Sequence, residues 1–262
     1  MTRPSALGRA DVFIGIDDTD DHRSPGTGRR ARALLADLTT AGLGTPAGAT
    51  RHQLLVDDRI PYTSHNSSAC LAWQSSNGDP EAVRDDVIEL AGRFLERVCP
   101  PDADPGLAVA IPTDLGRCRH AVIQFGLRAK CEVLHAEQAH LLAAEAGVHL
   151  SGHGGTDGGV IGALAAIGLQ ISGDDGLFIT LPGIETLPLT TTFEALLDRT
   201  TIDDARDGEH RRPHPAETIQ LGDWVRPVLL RGAAVLLLEP PSRQPDGSRI
   251  WRTASRAVVK QH

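Results

Sequence analysis

The chain is organised around the stretch Ile14-Gly15-Ile16-Asp17-Asp18-Thr19-Asp20-Asp21, in which an apolar strand runs directly into four carboxylates within five residues. Carboxylates this close either raise one another's pKa or bind a cation, and a hard divalent ion such as Mg²⁺ prefers oxygen ligands. The predicted strand over residues 12–16 delivers the acids to its carboxyl end, where the crevice of an open α/β sheet binds ligands. A solvated acidic turn explains the same residues, because Asp favours turns and helix N-caps, so both interpretations stay open at this point.

Composition limits the class of protein. The chain has 262 residues, of which 40% are hydrophobic, and this is enough for one large domain or two small ones. Its net charge is -8, acids and bases are interspersed, and aromatic residues make up only 3%. Nucleic-acid binding usually relies on a basic stripe for phosphates and on aromatic side chains for bases. We therefore do not expect nucleic acid to be the main partner.

The distribution of apolar residues and cysteines indicates the cellular setting. No apolar run approaches the length of about 20 residues that spans a bilayer, and the first residues lack the apolar segment of a signal peptide. We expect a cytoplasmic protein that does not contact a membrane, and a homo-oligomer is left open. The four cysteines contain no C-x-x-C pair, so neither a zinc site nor a disulfide framework is expected.

A turn and a helix follow the acids. The sequence predicts a turn from Ser24 to Gly28 and a helix from Arg29 to Leu43, on helical spacing of apolar residues. A helix start carries unpaired N–H groups and a partial positive charge, which suits a phosphate, and Arg29 and Arg30 add charge. For this loop taken alone we favour a plain connection that is capped by Thr27.

A polar segment lies between two predicted strands, Gln53 to Val56 and Cys70 to Gln74. Seven consecutive polar or hydrogen-bonding side chains run from Tyr62 to Ser68, which is more than a turn requires. They suit a ligand that is held by hydroxyl and amide groups, and a polar hairpin loop explains them equally well.

The second informative stretch runs from Ser151 to Gly159 and contains five glycines in nine residues, followed by a short apolar helix. Glycines allow the backbone to approach a ligand, and a helix N-terminus favours phosphate, although the stretch matches neither a P-loop nor a clean G-x-G-x-x-G. Tight packing of a helix on a sheet is the alternative explanation. We favour phosphate binding, because glycines that serve packing rarely need Thr156 and Asp157 among them.

The whole pattern predicts an α/β (α+β) fold. We expect a mixed-sheet nucleotide-binding core over residues 1–188, which can contain two lobes, one of them ferredoxin-like, and a small β-rich extension over residues 189–262. Further helices are predicted at Glu81 to Val98, Arg119 to Ala129 and Ala136 to Ala146. The charged stretch Asp203 to Pro215 predicts a mobile loop, and the strands after Trp224 predict a terminal β-meander.

Three motifs, taken in order, resemble the archaeal tRNA-isoleucine agmatinylcytidine synthetase family. Its strand-borne G-I-D-D-T-D motif is matched by Gly15 to Asp20, and its I-P-x-K-T-R-G-N-G-A segment is loosely matched by Ile60 to Ala69. Its R-G-x-I-G-A-L-A-A-I-G segment is closely matched by Gly159 to Gly168. The ordered recurrence over residues 12–169 is much more specific than any single motif.

The resemblance implies an ATP- and Mg²⁺-dependent ligase or kinase, which phosphorylates an oxygen of its substrate so that an amine such as agmatine displaces it. It implies catalytic and metal-binding roles for Asp17, Asp18 and Asp20. Cofactor binding is assigned to residues of the two motif loops, Thr19, Gly154, Gly155, Thr156, Gly158 and Gly159. Substrate binding is assigned to polar residues nearby, Ser64, His65, Asn66 and Asp157.

Three differences from the family shape the functional hypothesis. The family's reactive threonine is not in register with Thr27, both cations of the second motif are missing from residues 63–68, and no cysteine follows Cys131 to build the family's zinc ribbon. Together with the acidic charge, they lead us to expect a shortened, stand-alone relative that acts on a small amine or guanidine compound. The alternatives are a non-catalytic nucleotide or metabolite sensor, and a tRNA-modification component that works with a partner protein.

Overall fold

A computed structural model describes residues 4–21, 23, 26–60, 66–245 and 247–261. The helices are α1 Thr27–Thr40, α2 Pro80–Val98, α3 Arg119–Arg128, α4 Ala136–Ala146, α5 Gly159–Ser172, α6 Phe193–Arg199 and α7 Arg256–Val259. The strands of the first half are β1 Val12–Asp17, β2 Gly44–Gln53, β3 Ser67–Ser75, β4 Gly106–Ala110, β5 His149–Gly152 and β6 Leu177–Thr180. Those of the second half are β7 Thr190–Thr192, β8 Asp204–Asp207, β9 Thr218–Gln220, β10 Val228–Leu230, β11 Ala233–Leu238, β12 Ser242–Arg243 and β13 Arg249–Arg252.

The main sheet has nine strands in the order β5-β4-β1-β3-β2-β6-β10-β11-β8, and a second sheet has the order β12-β13-β9-β7. Both contain parallel and antiparallel pairs, because β11 runs parallel to β8 and β13 runs parallel to β9. The α/β fold with mixed sheets and a β-rich C-terminal region is therefore confirmed.

The neighbours of β1 correct one expectation. Strand β1 pairs antiparallel with both β3 and β4, so its carboxyl end does not lie in a crevice between parallel strands. It lies instead beside the amino ends of β3 and β4, with Asp17 opposite Gly106. The loops that lead into β3 and β4 therefore reach the acidic stretch.

The main sheet carries helices on both faces. Alternate residues of β1, such as Val12 and Ile14, join α1 and α2 in one hydrophobic cluster. Phe13, on the opposite face, joins α3, α4 and α5 in a second cluster. This alternation follows from the period of two in a strand, and it produces the α/β/α layers that a buried central strand requires.

Helix α5 approaches the sheet at a distance that only glycine permits. A Cβ on Gly15 would overlap the backbone of Ala163, and a Cβ on Gly159 would overlap the backbone of Asp104 and come within 2.6 Å of Gly106 N. Helical and sheet backbones are thus in direct contact. The packing explanation for glycine therefore applies to Gly159, which begins the helix.

Two local predictions are wrong. The second strand occupies Gly44–Gln53 instead of Gln53 to Val56. Its glycines and Pro46 disfavour a regular strand, and the chain accommodates them with a bulge between Pro46 and Gly48. The stretch 203–215 is not simply a loop, because β8 pairs with β11 there.

The C-terminal strands do not form the predicted meander. Strands β10, β11 and β8 extend the main sheet, whereas β9 and β13 lie in the second sheet. Local sequence gives strand positions and not partners, which explains the error. The division at residue 188 stays a prediction. In the described part of the chain, no helix has the length and apolar character needed to cross a membrane.

Candidate functional site

The acidic stretch opens into a cavity of about 530 Å³, which we call the acidic pocket. Asp17 ends β1, and Asp18 has a φ of 48°, so the chain turns sharply between the two carboxylates. The pocket is lined by Asp17, Asp18, Asp20, Thr27, Leu54, Arg59, Ile60, Asn66, Ser67, Asp104, Ala129, Glu132, Val133, Leu134, His135, Thr156, Gly158, Gly159, Ile161 and Gly162. All three predicted catalytic acids therefore line one pocket of a size that suits a small ligand.

A fourth carboxylate, Asp104, joins these acids. It lies two residues before β4, and the antiparallel pairing of β1 with β4 brings it to the end of β1. The sequence gives no local signal for this residue, because it belongs to a proline-containing link. Only the strand pairing identifies it.

Burial and neighbouring charges raise the pKa of two of these acids, Asp17 and Asp18. Burial, opposed by a hydrogen bond from the Asp18 N–H and reinforced by the charges of Asp18 and Asp20, raises the pKa of Asp17 to about 7. Burial and the charges of Asp104 and Asp20 raise the pKa of Asp18 to about 6. Clustered, partly buried carboxylates of this kind favour a proton or a bound cation.

The donor set fits a cation that arrives with other ligands. Among the residues that the structure describes, no group of three or more His, Cys, Asp or Glu side chains is arranged to hold a metal ion alone. Mg²⁺ is commonly held by one or two carboxylates together with waters and substrate phosphates. The acidic pocket supplies such carboxylates, and so its chemistry suits a metal–nucleotide pair better than a closed protein cage.

The glycine-rich loop is held by Asp104. The Asp104 carboxylate accepts hydrogen bonds from Thr156 Oγ1 at 2.7 Å, from the Asp157 N–H at 3.0 Å and from the Gly158 N–H at 2.7 Å. These donors therefore bind a carboxylate of the protein itself, which is a different use from the predicted phosphate cradle. Thr156, Gly158 and Gly159 still line the acidic pocket, whereas Gly154 and Gly155 are not among its lining residues.

Thr19 does not line the acidic pocket, but it contacts a residue that does. Its side chain is fully buried, and its hydroxyl donates to Thr27 Oγ1 at 3.3 Å. Thr27 in turn donates to Asp20 Oδ1 at 3.0 Å and lines the pocket. The first turn of α1 is thereby connected to the acidic loop. The predicted capping of this helix by Thr27 is wrong, because the N-cap is Gly26 and, among the described residues, no side chain caps the helix.

The predicted substrate residues have different fates. Asn66 lines the acidic pocket, and its side-chain amide donates to Leu55 O at 2.6 Å. Asp157 is not among the lining residues and pairs with His140 Nε2 at 2.5 Å. Ser64 and His65 lie outside the described residues, so their assignment stays a prediction.

Comparison with known proteins supports the fold. No family model and no curated protein matches the chain. Among solved structures, a tRNA fluorescent labeling enzyme matches 60% of this chain and 35% of its own, with 23% identity and a TM-score of 0.50. A complex of TiaS with an isoleucine tRNA and ATP matches 60% of this chain and 36% of its own, with 22% identity and a TM-score of 0.50.

These structures correct the expectation about partners. The TiaS structure contains an isoleucine tRNA together with ATP, so nucleic acid is a ligand of a protein with this fold. The expectation that nucleic acid is not a main partner, which we drew from composition, is therefore wrong. The chain spans about a third of the length of both proteins and resembles TiaS, an agmatidine synthetase for an isoleucine tRNA, in its fold.

Proposed function

We propose that the chain is an ATP-dependent enzyme of the ligase or kinase type, which activates an oxygen of its substrate by phosphoryl transfer. The observation that carries this proposal is the acidic pocket, where the end of β1, Asp104 in the link before β4 and the first turn of α5 meet. A TiaS structure with the same fold contains ATP, which supports a nucleotide as the ligand.

One or two of the carboxylates of Asp17, Asp18 and Asp20 would hold Mg²⁺, together with water and the phosphates of the nucleotide. A bound Mg²⁺ supplies positive charge that offsets the negative charge of the transferring phosphoryl group. The protein contributes position: β1 fixes Asp17, and Thr27 fixes Asp20 through its 3.0 Å hydrogen bond. A carboxylate of this cluster that is not bound to the metal would position the attacking group or accept its proton.

The acceptor of the phosphoryl group is either a small molecule or an RNA. An amine or guanidine compound follows from the family resemblance as the group that displaces the activated oxygen. tRNA is a candidate acceptor, because the TiaS structure of this fold contains an isoleucine tRNA.

A second candidate is a nucleotide-binding protein without catalysis. One observation favours it: the N–H groups of Asp157 and Gly158 donate to Asp104, so this part of the loop binds the protein's own carboxylate. Binding of ATP without any product would distinguish this candidate from the enzyme.

The test uses D18N and D20N, with Asp58→Asn as the matched control, since Asp58 is exposed and does not line the acidic pocket. Thermal denaturation is measured with and without ATP and Mg²⁺, and the nucleotide is then analysed by chromatography after incubation with bulk tRNA or with agmatine. We expect the wild type and D58N to be stabilised and to convert ATP, and both site variants to lose conversion while remaining folded. Full conversion by both site variants would overturn the proposal.

A further inference from the structure

A second cavity of about 370 Å³ adjoins the acidic pocket, and we call it the arginine pocket. It is lined by Asp20, Gly26, Thr27, Gly28, Arg29, Arg32, Arg51, Ser67, Ser68, Ala69, Leu177, Phe178, Ile179, Trp224 and Arg226. Four arginines and a single carboxylate therefore line one cavity, in a chain whose net charge is -8. Guanidinium groups at this density favour an anion, and planar arginine donors match phosphate oxygens in particular.

Two of the arginines are partly buried and fixed in place. Arg51 Nε donates to Ser67 Oγ at 2.8 Å, and Arg226 Nη1 donates to Ile179 O at 2.7 Å. Each hydrogen bond uses one of the five N–H groups of a guanidinium, so further donors are available to a ligand. Both acceptors are neutral, and neither bond offsets the charge that is removed from water.

Electrostatics in the pocket are unfavourable without an anion. Burial lowers the pKa of Arg226, the neighbouring cations Arg32 and Arg256 lower it further, and Glu185 only partly opposes them. Burial also lowers the pKa of Arg51, against the opposing charge of Asp20. A bound phosphate would relieve both the repulsion and the loss of hydration.

The other walls of the arginine pocket also favour the binding of a phosphate. Arg29 and Arg32 lie three residues apart on α1 and therefore share a face of the helix. The pocket includes Thr27 and Gly28 at the N-terminus of this 14-residue helix, where the helix dipole also favours an anion. Trp224 adds an aromatic ring, and Arg256 lies 5.3 Å from its centroid.

The two pockets adjoin each other, because Asp20, Thr27 and Ser67 line both of them. A phosphate that lies among the arginines is therefore next to the carboxylates of the acidic pocket.

We propose that the arginine pocket binds a phosphate group of the acceptor substrate, and so orients the acceptor toward the acidic pocket. The acceptor role rests on the proposed function, whereas phosphate binding by Arg51, Arg226 and α1 does not. The phosphate belongs either to an RNA backbone or to a free nucleotide-like compound, and the two sources share the same chemistry at the arginines.

The experiment measures binding by the full chain in EDTA and without ATP, so that the metal-dependent function does not contribute. Two probes are titrated, inorganic pyrophosphate and a mixed-sequence single-stranded RNA 12-mer, and the readout is tryptophan fluorescence. Trp73 and Trp251 are fully buried, so Trp224 is the residue placed to report on the pocket. Trp224→Phe should remove the signal, while equilibrium dialysis still detects binding.

We expect R51Q and R226Q to weaken binding at least tenfold for at least one probe. Arg93→Gln, which makes the same charge change outside both pockets, should stay within twofold of the wild type. Because R51Q and R226Q remove partly buried side chains, Arg32→Gln provides a variant at an exposed position, with an expected loss of about threefold. Absence of binding in the wild type, or equal losses in R32Q and R93Q, would overturn the proposal.

The two probes identify the source of the phosphate. Arginine-dependent RNA binding that weakens with salt, and that pyrophosphate does not match, indicates a phosphodiester backbone. Tighter, arginine-dependent binding of pyrophosphate indicates a free phosphate ester. If ATP conversion fails while either arginine-dependent result holds, the proposed function falls and the phosphate site stands.

Discussion

The carboxylate of Asp17 lies against the backbone of Gly162 on α5, so closely that a Cβ at position 162 would overlap the Asp17 Oδ2 atom. The same Cβ would meet Asp17 Cβ at 2.9 Å, so rotation of the carboxylate alone would not make room. Helix α5 therefore acts as the wall that fixes the first acid of the pocket. This contact gives a physical reason for the glycine at position 162, which lies in the segment that closely matches the third motif.

Gly162→Ala should displace Asp17 at a net cost of about 0–3 kcal/mol in the free energy of unfolding. Overpacking costs about 1–3 kcal/mol, whereas Ala in place of Gly inside a helix regains up to about 1 kcal/mol. We expect the thermal stabilisation by ATP and Mg²⁺ to disappear in a folded variant. Gly208→Ala is the control, because a Cβ at that position meets nothing within 4 Å. Undiminished stabilisation of G162A would show that the position of Asp17 is not important.

The metal-free protein should lose stability as pH rises. The pKa of Asp17 is about 7 and that of Asp18 is about 6 in the folded chain, against 3.8 for an ordinary aspartate. Between pH 4 and pH 7 the folded state therefore binds more protons than the unfolded state, and the free energy of unfolding falls across this window. Urea denaturation in EDTA at pH 4.5, 6 and 8 measures the slope.

Asp17→Asn tests whether Asp17 causes the fall in the free energy of unfolding with pH. One pKa unit corresponds to about 1.4 kcal/mol, so the shift of Asp17 leads us to expect that D17N gains about 4 kcal/mol at pH 8 and only about 1 kcal/mol at pH 4.5. A smaller slope should remain, because Asp18 still titrates. An identical slope in D17N and in the wild type would contradict the burial of this carboxylate.

Asp104→Asn should loosen the glycine-rich loop. The Asp104 carboxylate accepts three hydrogen bonds from residues 156–158, and an amide retains only one acceptor oxygen. We expect a loss of about 1–3 kcal/mol in the free energy of unfolding, together with faster amide exchange at Asp157 and Gly158. Asp102→Asn is the matched control, since Asp102 is exposed in the same link.

Asp175→Asn should destabilise the carboxyl end of β2, where its partner His52 lies. Burial would raise the pKa of Asp175, but hydrogen bonds and charges from His52 and Lys130 hold it below its ordinary value. His52 Nδ1 is 2.9 Å from Asp175 Oδ1, and Lys130 forms an ion pair with the same carboxylate. Removing one partner of a buried pair costs about 3–5 kcal/mol. The loss should be present at pH 7 and shrink as pH falls below about 4, where the wild-type carboxylate also becomes neutral.

Local patterns in the sequence determined most elements. Helix α4 begins and ends at the predicted residues, Ala136 and Ala146, because its apolar spacing matches the 3.6-residue period. The predicted position of strand β2 was wrong, because Gly44, Pro46 and Gly48 are unfavourable in a regular strand. The strand is bulged at these residues, and its partners lie far along the chain. The strand tolerates such residues because β6 pairs only with residues 49–51, so the part of β2 that contains Pro46 pairs with β3 alone and is bulged there.

Adjacency in the chain is enough to bring Asp17, Asp18 and Asp20 together at the end of a buried strand, so local sequence predicts this part of the site. The other residues around these acids are brought there by long-range contacts. Asp104 arrives through antiparallel pairing of β1 with β4, and Arg226 comes from a segment about 200 residues after Arg29. Strand pairing and helix packing depend on contacts between residues that are distant in the chain, and local periodicity gives no information about them. In this chain, such contacts place a cationic cavity beside an anionic one.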